Sequence, residues 1–473
     1  MKKFFYRLFG FSLGPILGAV ISFIQVPVLT YFLSVDEYGY AGAFQTLLLQ
    51  LPNFIYIGID QAYTREYHTS DDKRHLIQAA LFIPMLVGLI IFAVFILFDG
   101  TISNYLFNSP DYTYIVWYSA IWILSAILER FILLSIRMEE RAYEYSMYNL
   151  MLKIGVFALS MILIAIGMRD FRVIVYGLIF GQIVVDLYLF YKYRSLLNFK
   201  GFSVDKSLIR RMFWFGLPLM VATALQSALN SVDIMFLKQY STVADQGVYS
   251  VGIRIAGVIG IIKTAFSSFW VPTAYRWYEE KKSMKHYKFI SDAILLVLTF
   301  LFYCLLLFKK PVGWLVSTQD PGYLNVQYIF ALLCFPHIMY TLSETTTLGI
   351  VFSRKTQYNI WVSVLTIIPS LLMNALLTPV WGYRGAALAS TVAYIMFYLA
   401  RTYFSSRTGF YFGQKLQLIS IIIMTLAAIL NAFDIAYIEW LTIGLGILTV
   451  LVQWPTIATS LDIRRQPDLW DFN

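Results

Sequence analysis

Residues 77–98 read IQAALFIPMLVGLIIFAVFILF and contain no charged side chain. The hydrocarbon core of a bilayer is about 30 Å thick and is crossed by about 20 apolar residues in an α-helix, so this run predicts a transmembrane helix. The rest of the chain has the same character, because 59% of its 473 residues are hydrophobic and only 13% are charged. Soluble proteins are about 45–50% apolar with about 25% charged residues. The composition therefore excludes a soluble protein.

Fourteen apolar runs of this length are separated by polar or charged breaks, and they predict an all-α integral membrane protein with about 14 transmembrane helices. The predicted spans are residues 11–33, 42–64, 77–98, 113–136, 146–168, 173–193, 211–237, 248–272, 288–308, 324–351, 358–380, 385–403, 416–434 and 437–459.

The basic residues indicate the orientation of these spans, because connections rich in Lys and Arg stay on the cytoplasmic side. With a cytoplasmic N-terminus, the inner ends and loops carry 26 of the 36 basic residues and the outer ends carry 6. We therefore expect both termini in the cytoplasm. The net charge of +9 is then mainly an orientation signal, and it predicts contact with membrane lipids and not with nucleic acid.

A helix-and-turn unit occurs twice in the same orientation. The first copy begins with FGFSLGP at residues 9–15 and leaves its helix through LSVDEYGY at residues 33–40. The second begins with FGLP at residues 215–218 and leaves through YSTVADQGVY at residues 240–249. A parallel repeat is typical of transporters that rock two lobes around a central cavity. The predicted domains are an N-terminal six-helix lobe (1–195), a cytoplasmic linker (196–210), a C-terminal six-helix lobe (211–405), an extra helix pair (416–459) and a cytoplasmic tail (460–473).

Four short motifs resemble those of a known family, and they occur in the same order and in the same helices as in that family. They are Gly14 to Glu66 with DEYG at 36–39 and GIDQAYTRE at 58–66, FGLP at 215–218 through Asp233, DQGVYS at 245–250 with Ile253, and Asn374 through WGYRGAALA at 381–389. Over about residues 5–405 the chain resembles the polysaccharide transporter family. These proteins are bacterial oligosaccharide flippases of the multidrug/oligosaccharidyl-lipid/polysaccharide exporter superfamily.

The resemblance implies a multi-pass protein of the bacterial plasma membrane. Its substrate would be an undecaprenyl-pyrophosphate-linked oligosaccharide, moved from the cytoplasmic to the outer leaflet by alternating access for O-antigen, capsule or exopolysaccharide synthesis. Many relatives have twelve helices, and the best-known fourteen-helix relatives flip the peptidoglycan precursor. A lipid II flippase and a drug or cation antiporter are therefore alternatives within the same superfamily.

Ionisable residues within the spans are candidates for the transport site, because each costs a few kcal/mol in the membrane and usually faces a cavity or a partner. An anionic pyrophosphate requires fixed cations. The buried cations are Lys263, Arg254, Lys153 and Arg130. Four carboxylates at similar depths are candidates for coupling to protons or sodium, or for gating: Asp60, Asp186, Asp233 and Glu344.

A structural alternative applies to the same charges. Matching depths would allow Glu129 to pair with Lys153, Asp186 with Arg130, and Asp233 with Arg254, whereas Lys263 and Glu344 have no evident partner in the sequence. Arg254 and Lys263 are nine residues apart on one predicted helix, a rotation of about 900°, which places them on opposite faces of a regular helix.

Other chemistries have little support in the sequence. Cys304 and Cys334 offer neither a disulfide framework nor metal-ligand spacing, and no metal, nucleotide or redox motif occurs. We expect a transporter without catalytic residues, metal or cofactor, acting as a monomer, with contact to polysaccharide assembly proteins left open. The alternative of another class is a membrane polysaccharide polymerase or acyltransferase. Its large outer catalytic loop has no counterpart here, because the longest outer connection is about residues 309–323.

Overall fold

The computed structural model of this protein describes residues 17–18, 20–67, 70–139, 141–198, 205–353, 355 and 357–466. Within these residues every regular element is a helix and no strand occurs, so the predicted all-α fold is confirmed. The start of the first predicted span, residues 199–204 of the predicted linker and the end of the predicted tail lie outside the described residues.

The helices run in this order: α1 Val20–Phe32, α2 Val35–Ile55, α3 Ile59–Glu66, α4 Lys73–Leu97, α5 Asp99–Phe107, α6 Thr113–Met138, α7 Ala142–Ala165, α8 Arg172–Lys192, α9 Lys206–Tyr240, α10 Val243–Glu279, α11 Met284–Leu307, α12 Lys309–Val316, α13 Val326–Leu333, α14 Phe335–Thr346, α15 Leu348–Phe352, α16 Tyr358–Ser406, α17 Lys415–Ala432, α18 Ile438–Val452 and α19 Trp454–Arg465. Short 3-10 helices at Pro110–Tyr112 and Pro321–Asn325 precede α6 and α13.

The chain divides into two compact units, Met1–Ser231 and Val232–Asn473. The boundary falls inside α9, so about the first three-quarters of that helix belongs to the first unit. The sequence assigns all of residues 211–405 to the second lobe, and the lobe boundaries stay a prediction.

The two turns that the sequence repeat pairs adopt the same local structure. Ser34 precedes α2 and its side chain accepts a hydrogen bond from the backbone N–H of Glu37 at 3.4 Å. Thr242 precedes α10 and accepts from the N–H of Asp245 at 3.1 Å. Each side chain satisfies one of the N–H groups that the first turn of a helix leaves without a partner. The repeat therefore specifies the starting points of two long helices.

The helix breaks between α2 and α3, and at this break the backbone passes very close to α9. Ile57 and Gly58 have φ values of 48° and 68°, which stop the helix there. A Cβ atom on Gly58 would lie 2.3 Å from the carbonyl oxygen of Gly216 in α9, and a Cβ on Gly216 would lie 2.5 Å from the carbonyl oxygen of Ile57. Only glycine allows the two backbones to approach this closely.

Small residues also set the packing of α7 on α8. A Cβ on Gly155 would lie 2.8 Å from the carbonyl oxygen of Gly181, and a Cβ on Gly181 would lie 2.7 Å from that of Gly155. Such close crossings are typical of helix pairs in membranes, where van der Waals contact replaces the hydrophobic effect as the driving force.

In the second unit, α16 is two helices joined by a sharp reversal. At 1.5 Å per residue a straight helix of its 49 residues would be about 73 Å long, far more than a bilayer core. Gly382 has φ 52° and ψ −129°, outside the helical region. A Cβ on Gly385 would lie 2.2 Å from the carbonyl oxygen of Leu377, so the chain folds back on itself there.

The last helices are integrated into the second unit by buried polar contacts. In α11, Thr299 and Tyr303 face these helices: Gln453 donates to Thr299 at 2.9 Å, and the hydroxyls of Tyr303 and Thr449 lie 3.0 Å apart. Lys309 donates to Asn431 of α17 at 2.7 Å. The predicted extra pair is thus part of the core of this unit.

Ten helices of the described residues are long and apolar enough to cross a membrane, or eleven if the bent pair α18 and α19 is one span. The predicted number of fourteen is larger for three physical reasons. The described part of the first span is a short helix, Val20–Phe32. The second predicted span is interrupted between α2 and α3, and α16 counts once although its reversal gives it two arms.

Candidate functional sites

A polar cavity of about 280 Å³ lies in the first unit, among α2, α6, α7 and α8. Its lining combines charged, amide and aromatic side chains: Asn53, Tyr56, Trp122, Glu129, Arg130, Arg137, Tyr145, Asn149 and Gln182. Membrane proteins usually place the ionisable residues of their apolar helices around such a polar cavity.

Arg130 forms an ion pair at the edge of this cavity. Its Nη2 lies 2.7 Å from Oδ2 of Asp60 in α3, and its guanidinium lies 5.7 Å from the ring centre of Tyr56. The Asp60 side chain is 9% exposed and the Arg130 side chain 41%. The expected pairing of Arg130 with Asp186 is therefore wrong, and the short helix α3, which begins after the break at Gly58, brings the actual partner.

Glu129 and Asp186 are held by neutral side chains. Gln182 donates to Glu129, and Ser125 donates to Oδ2 of Asp186 at 2.6 Å. Asp186 is completely buried, and its Oδ1 has no hydrogen-bond partner among the described residues. Lys153 lies on α7, where its Cγ is 3.2 Å from the position that a Cβ of Gly18 would take.

Asp233 is the buried acid of the second unit. Tyr249 of α10 donates to its Oδ2 at 2.6 Å, and Asn374 of α16 donates to its Oδ1 at 2.8 Å. Thr378 donates in turn to Oδ1 of Asn374 at 2.9 Å. The sequence offers Arg254 as the partner of Asp233, whereas the contacts that hold this carboxylate come from neutral groups. The network joins α9, α10 and the first arm of α16.

A second polar cluster joins α10, α14 and the second arm of α16. Lys263 places its Nζ 3.5 Å from the ring centre of Tyr340. Arg401 donates from Nη1 to Glu344 at 3.0 Å and to Ser343 at 2.7 Å, and its guanidinium lies 5.3 Å from the same ring of Tyr340. Glu344, which lacks a partner in the sequence, is thus in an ion pair.

Arg254 and Lys263 share α10, which runs without interruption from Val243 to Glu279. Gly257 and Gly260 are both helical, so the local irregularity that could bring the two cations to one face is absent from this part of the chain. Nine residues of regular helix place them on opposite faces. They therefore serve different environments within the second unit.

Arg401 and Tyr340 are the residues that sequence reasoning missed. Arg401 lies two residues before the end of the predicted span 385–403, where a basic residue is expected at the cytoplasmic end of a helix. The helix continues to Ser406, which places Arg401 one turn inside it. The signal that could have found it is the unpaired Glu344 in a neighbouring span, since an acid in the membrane requires a partner.

Long apolar helices with charged and polar residues inside them define a multi-pass α-helical membrane protein of transporter-like architecture. More particularly, the chain belongs to the family described as "Polysaccharide biosynthesis protein", whose model matches residues 8–277. The predicted family is confirmed.

Solved structures of transporters share the fold. The lipid II flippase MurJ in an inward closed conformation is similar with a TM-score of 0.71 and 14% identity, over 96% of this chain and 99% of that chain. An inward-facing multidrug resistance MATE family transporter of the MOP superfamily has a TM-score of 0.63 and 12% identity, over 83% and 94%. A MOP superfamily transporter from Pyrococcus furiosus has a TM-score of 0.53 and 12% identity, over 85% and 95%. No curated protein matches the sequence.

Proposed function

We propose that this protein is a flippase that carries an undecaprenyl-pyrophosphate-linked oligosaccharide from the cytoplasmic to the outer leaflet of the bacterial plasma membrane. The observation that carries the proposal is the pair of cations Lys263 and Arg401 within helices of the second unit. Fixed cations away from bulk water favour a pyrophosphate headgroup. Membership of a polysaccharide biosynthesis family and the fold shared with transporters support this choice of substrate and activity.

Transport would proceed by alternating access, with both termini in the cytoplasm. The two compact units and the parallel repeat of the sequence support this mechanism. The uneven distribution of Lys and Arg supports the orientation. Reporter fusions after residues 200 and 285 should then report a cytoplasmic location, and an external location of either would refute the topology.

Complementation tests the function. The wild-type chain should restore surface polysaccharide in a strain that lacks its own oligosaccharide flippase. Lys263→Ala and Arg401→Ala should abolish export at unchanged abundance in the membrane. Lys415→Ala, which changes an exposed lysine at the start of α17, should export normally. Unchanged export by both cation variants contradicts a cationic transport site.

A lipid II flippase is the second candidate, because the similarity to MurJ covers 99% of that chain and so includes its last helices. Rescue of a strain depleted of its lipid II flippase, without rescue of the oligosaccharide flippase mutant, would favour this substrate. Both substrates carry a polyprenyl pyrophosphate, so the same cations would serve either one.

Asp233 is our candidate for coupling transport to protons or sodium. It is buried, its partners Tyr249 and Asn374 are neutral, and the network spans three helices that a change of ion occupancy would affect together. Transport in proteoliposomes driven separately by a proton and a sodium gradient tests this. Asp233→Asn should lose the response to the effective gradient, and a variant that keeps the full response contradicts the assignment.

A further inference from the structure

We propose that Lys263 and Arg401 form an anion-binding seat that the carboxylate of Glu344 occupies in part when no substrate is bound, and that the substrate's pyrophosphate displaces Glu344 from Arg401. This inference rests on the proposed function for the identity of the anion. Beyond that function, it gives Glu344 the role of an internal competitor for the two cations.

The first argument is the charge balance of the cluster. Among the described residues it contains two cations and one carboxylate, because Glu344 pairs with Arg401 and no carboxylate lies within 4.0 Å of Lys263. His337, which packs against Gly260 one helical turn from Lys263, adds no negative charge. An excess of one positive charge is costly inside a membrane protein unless an anion reaches it. The cluster therefore favours an anionic ligand.

The second argument is the number of donors that the cluster leaves open. Arg401 uses only Nη1 in its bonds to Ser343 and Glu344, and its Nε and Nη2 have no hydrogen-bond partner within the described part of the chain. Within the described residues, the Nζ of Lys263 lies over the ring of Tyr340 and forms no ion pair. A guanidinium can bind a phosphate through two parallel N–H bonds, whereas an ammonium acts as a point charge. Both types of donor are therefore available on neighbouring helices.

The third argument is the place of Tyr340 between the cations. Its ring centre lies 3.5 Å from Nζ of Lys263 and 5.3 Å from the guanidinium of Arg401, and the ring stacks on Phe397 at 5.6 Å. Cation–π contacts with one ring hold two like charges near each other without neutralising them. The ring thus keeps both cations in position for a ligand that carries two or more negative charges.

The fourth argument is accessibility. The side chains of Arg401 and Glu344 are 14% and 13% exposed, so the ion pair is largely shielded but not sealed. A shielded ion pair responds strongly to a competing charge, because the local dielectric is lower than that of water. A pyrophosphate that replaces the single carboxylate would also neutralise Lys263, which Glu344 leaves without an ion pair.

The seat is tested by isothermal titration calorimetry, which measures the affinity of the full-length protein in zwitterionic nanodiscs for inorganic pyrophosphate. Glu344→Gln keeps the size and the acceptor oxygen but removes the competing charge, so it should bind pyrophosphate about tenfold more tightly than the wild type. Lys263→Gln and Arg401→Gln should each bind it about tenfold more weakly. Arg407→Gln is the matched control, because Arg407 stacks on Tyr403 at the exposed end of the same helix and should leave the affinity unchanged.

The sign of the Glu344→Gln effect separates the seat from a purely structural ion pair. A structural pair predicts a lower melting temperature for this variant and an unchanged or weaker affinity for pyrophosphate, and that result would overturn the proposal. So would undetectable binding by both the wild type and Glu344→Gln, or an unchanged affinity in Arg401→Gln.

Export assays distinguish a failure of the seat from a failure of the proposed function. If the variants change the affinity for pyrophosphate as expected but the wild-type chain complements no flippase mutant, the anion-binding seat is supported and the oligosaccharide substrate is rejected. Complementation by a chain without that profile overturns the seat and leaves the flippase function standing.

Discussion

The two units hold the charged residues inside their helices in different ways. In the first unit, Arg130 pairs with Asp60, whereas Gln182 and Ser125 donate hydrogen bonds to Glu129 and Asp186. In the cluster of α10, α14 and α16, two cations face the one carboxylate of Glu344. The two units share the repeated helix-and-turn motif but not the arrangement of these charged residues. We propose the cluster of the second unit as the site of the anionic headgroup, although Arg130 and Lys153 of the first unit are also candidates by sequence.

The largest effect on stability should come from Asp233→Leu, which removes the acid that is held by neutral donors. The hydroxyl of Tyr249 and the amide of Asn374 would remain buried without a partner, so we expect a loss of about 3 kcal/mol or more in unfolding free energy. Denaturant titration in detergent measures it. Asp233→Asn keeps an acceptor oxygen and should lose less, and equal losses would show that the negative charge itself stabilises this unit.

Arg130→Ala should have the next largest effect, because it leaves Asp60 largely buried and unpaired. Since the Arg130 side chain is 41% exposed, solvent weakens the pair, and we expect a loss of about 1–2 kcal/mol. Replacing both partners in Arg130→Met with Asp60→Leu should recover part of it. If the double variant loses as much unfolding free energy as the two single variants together, Arg130 and Asp60 do not stabilise each other.

Ser125→Ala tests whether Asp186 depends on its neutral donor. Removing the 2.6 Å hydrogen bond should cost about 1 kcal/mol. Ser119→Ala is a matched control on α6, because among the described residues the Ser119 hydroxyl donates to the carbonyl of Ile115 in its own helix and to no other group. Equal melting temperatures for the two variants would mean that Asp186 finds another partner.

The smallest effect on stability should come from Glu344→Gln in the cationic cluster. Gln keeps an oxygen that accepts the hydrogen bond from Arg401, so this contact survives the loss of charge, and we expect a change below about 1 kcal/mol. Thermal unfolding in detergent measures it. A loss as large as that of Arg130→Ala would remove the contrast between the two units.

Sequence reasoning located the individual charges but not their partners. Depth along a span is readable from the apolar runs, which is why Asp60, Asp186, Asp233, Lys263 and Glu344 could be singled out. Pairing also depends on the rotation of each helix and on breaks within it. The break at Gly58 brings Asp60 to Arg130, and the extension of α16 to Ser406 brings Arg401 to Glu344. Neither event leaves a periodic signal.

By itself the sequence determined the class, the family and the all-α architecture. These follow from the apolar runs and from short motifs, because water and lipid separate residues by polarity wherever they lie in the chain. Only the tertiary structure decided which charges meet, since Lys263, Tyr340, Glu344 and Arg401 come from three helices spread over about 140 residues. Their contacts depend on distances of a few ångströms between helices, and such distances are set by packing and not by composition.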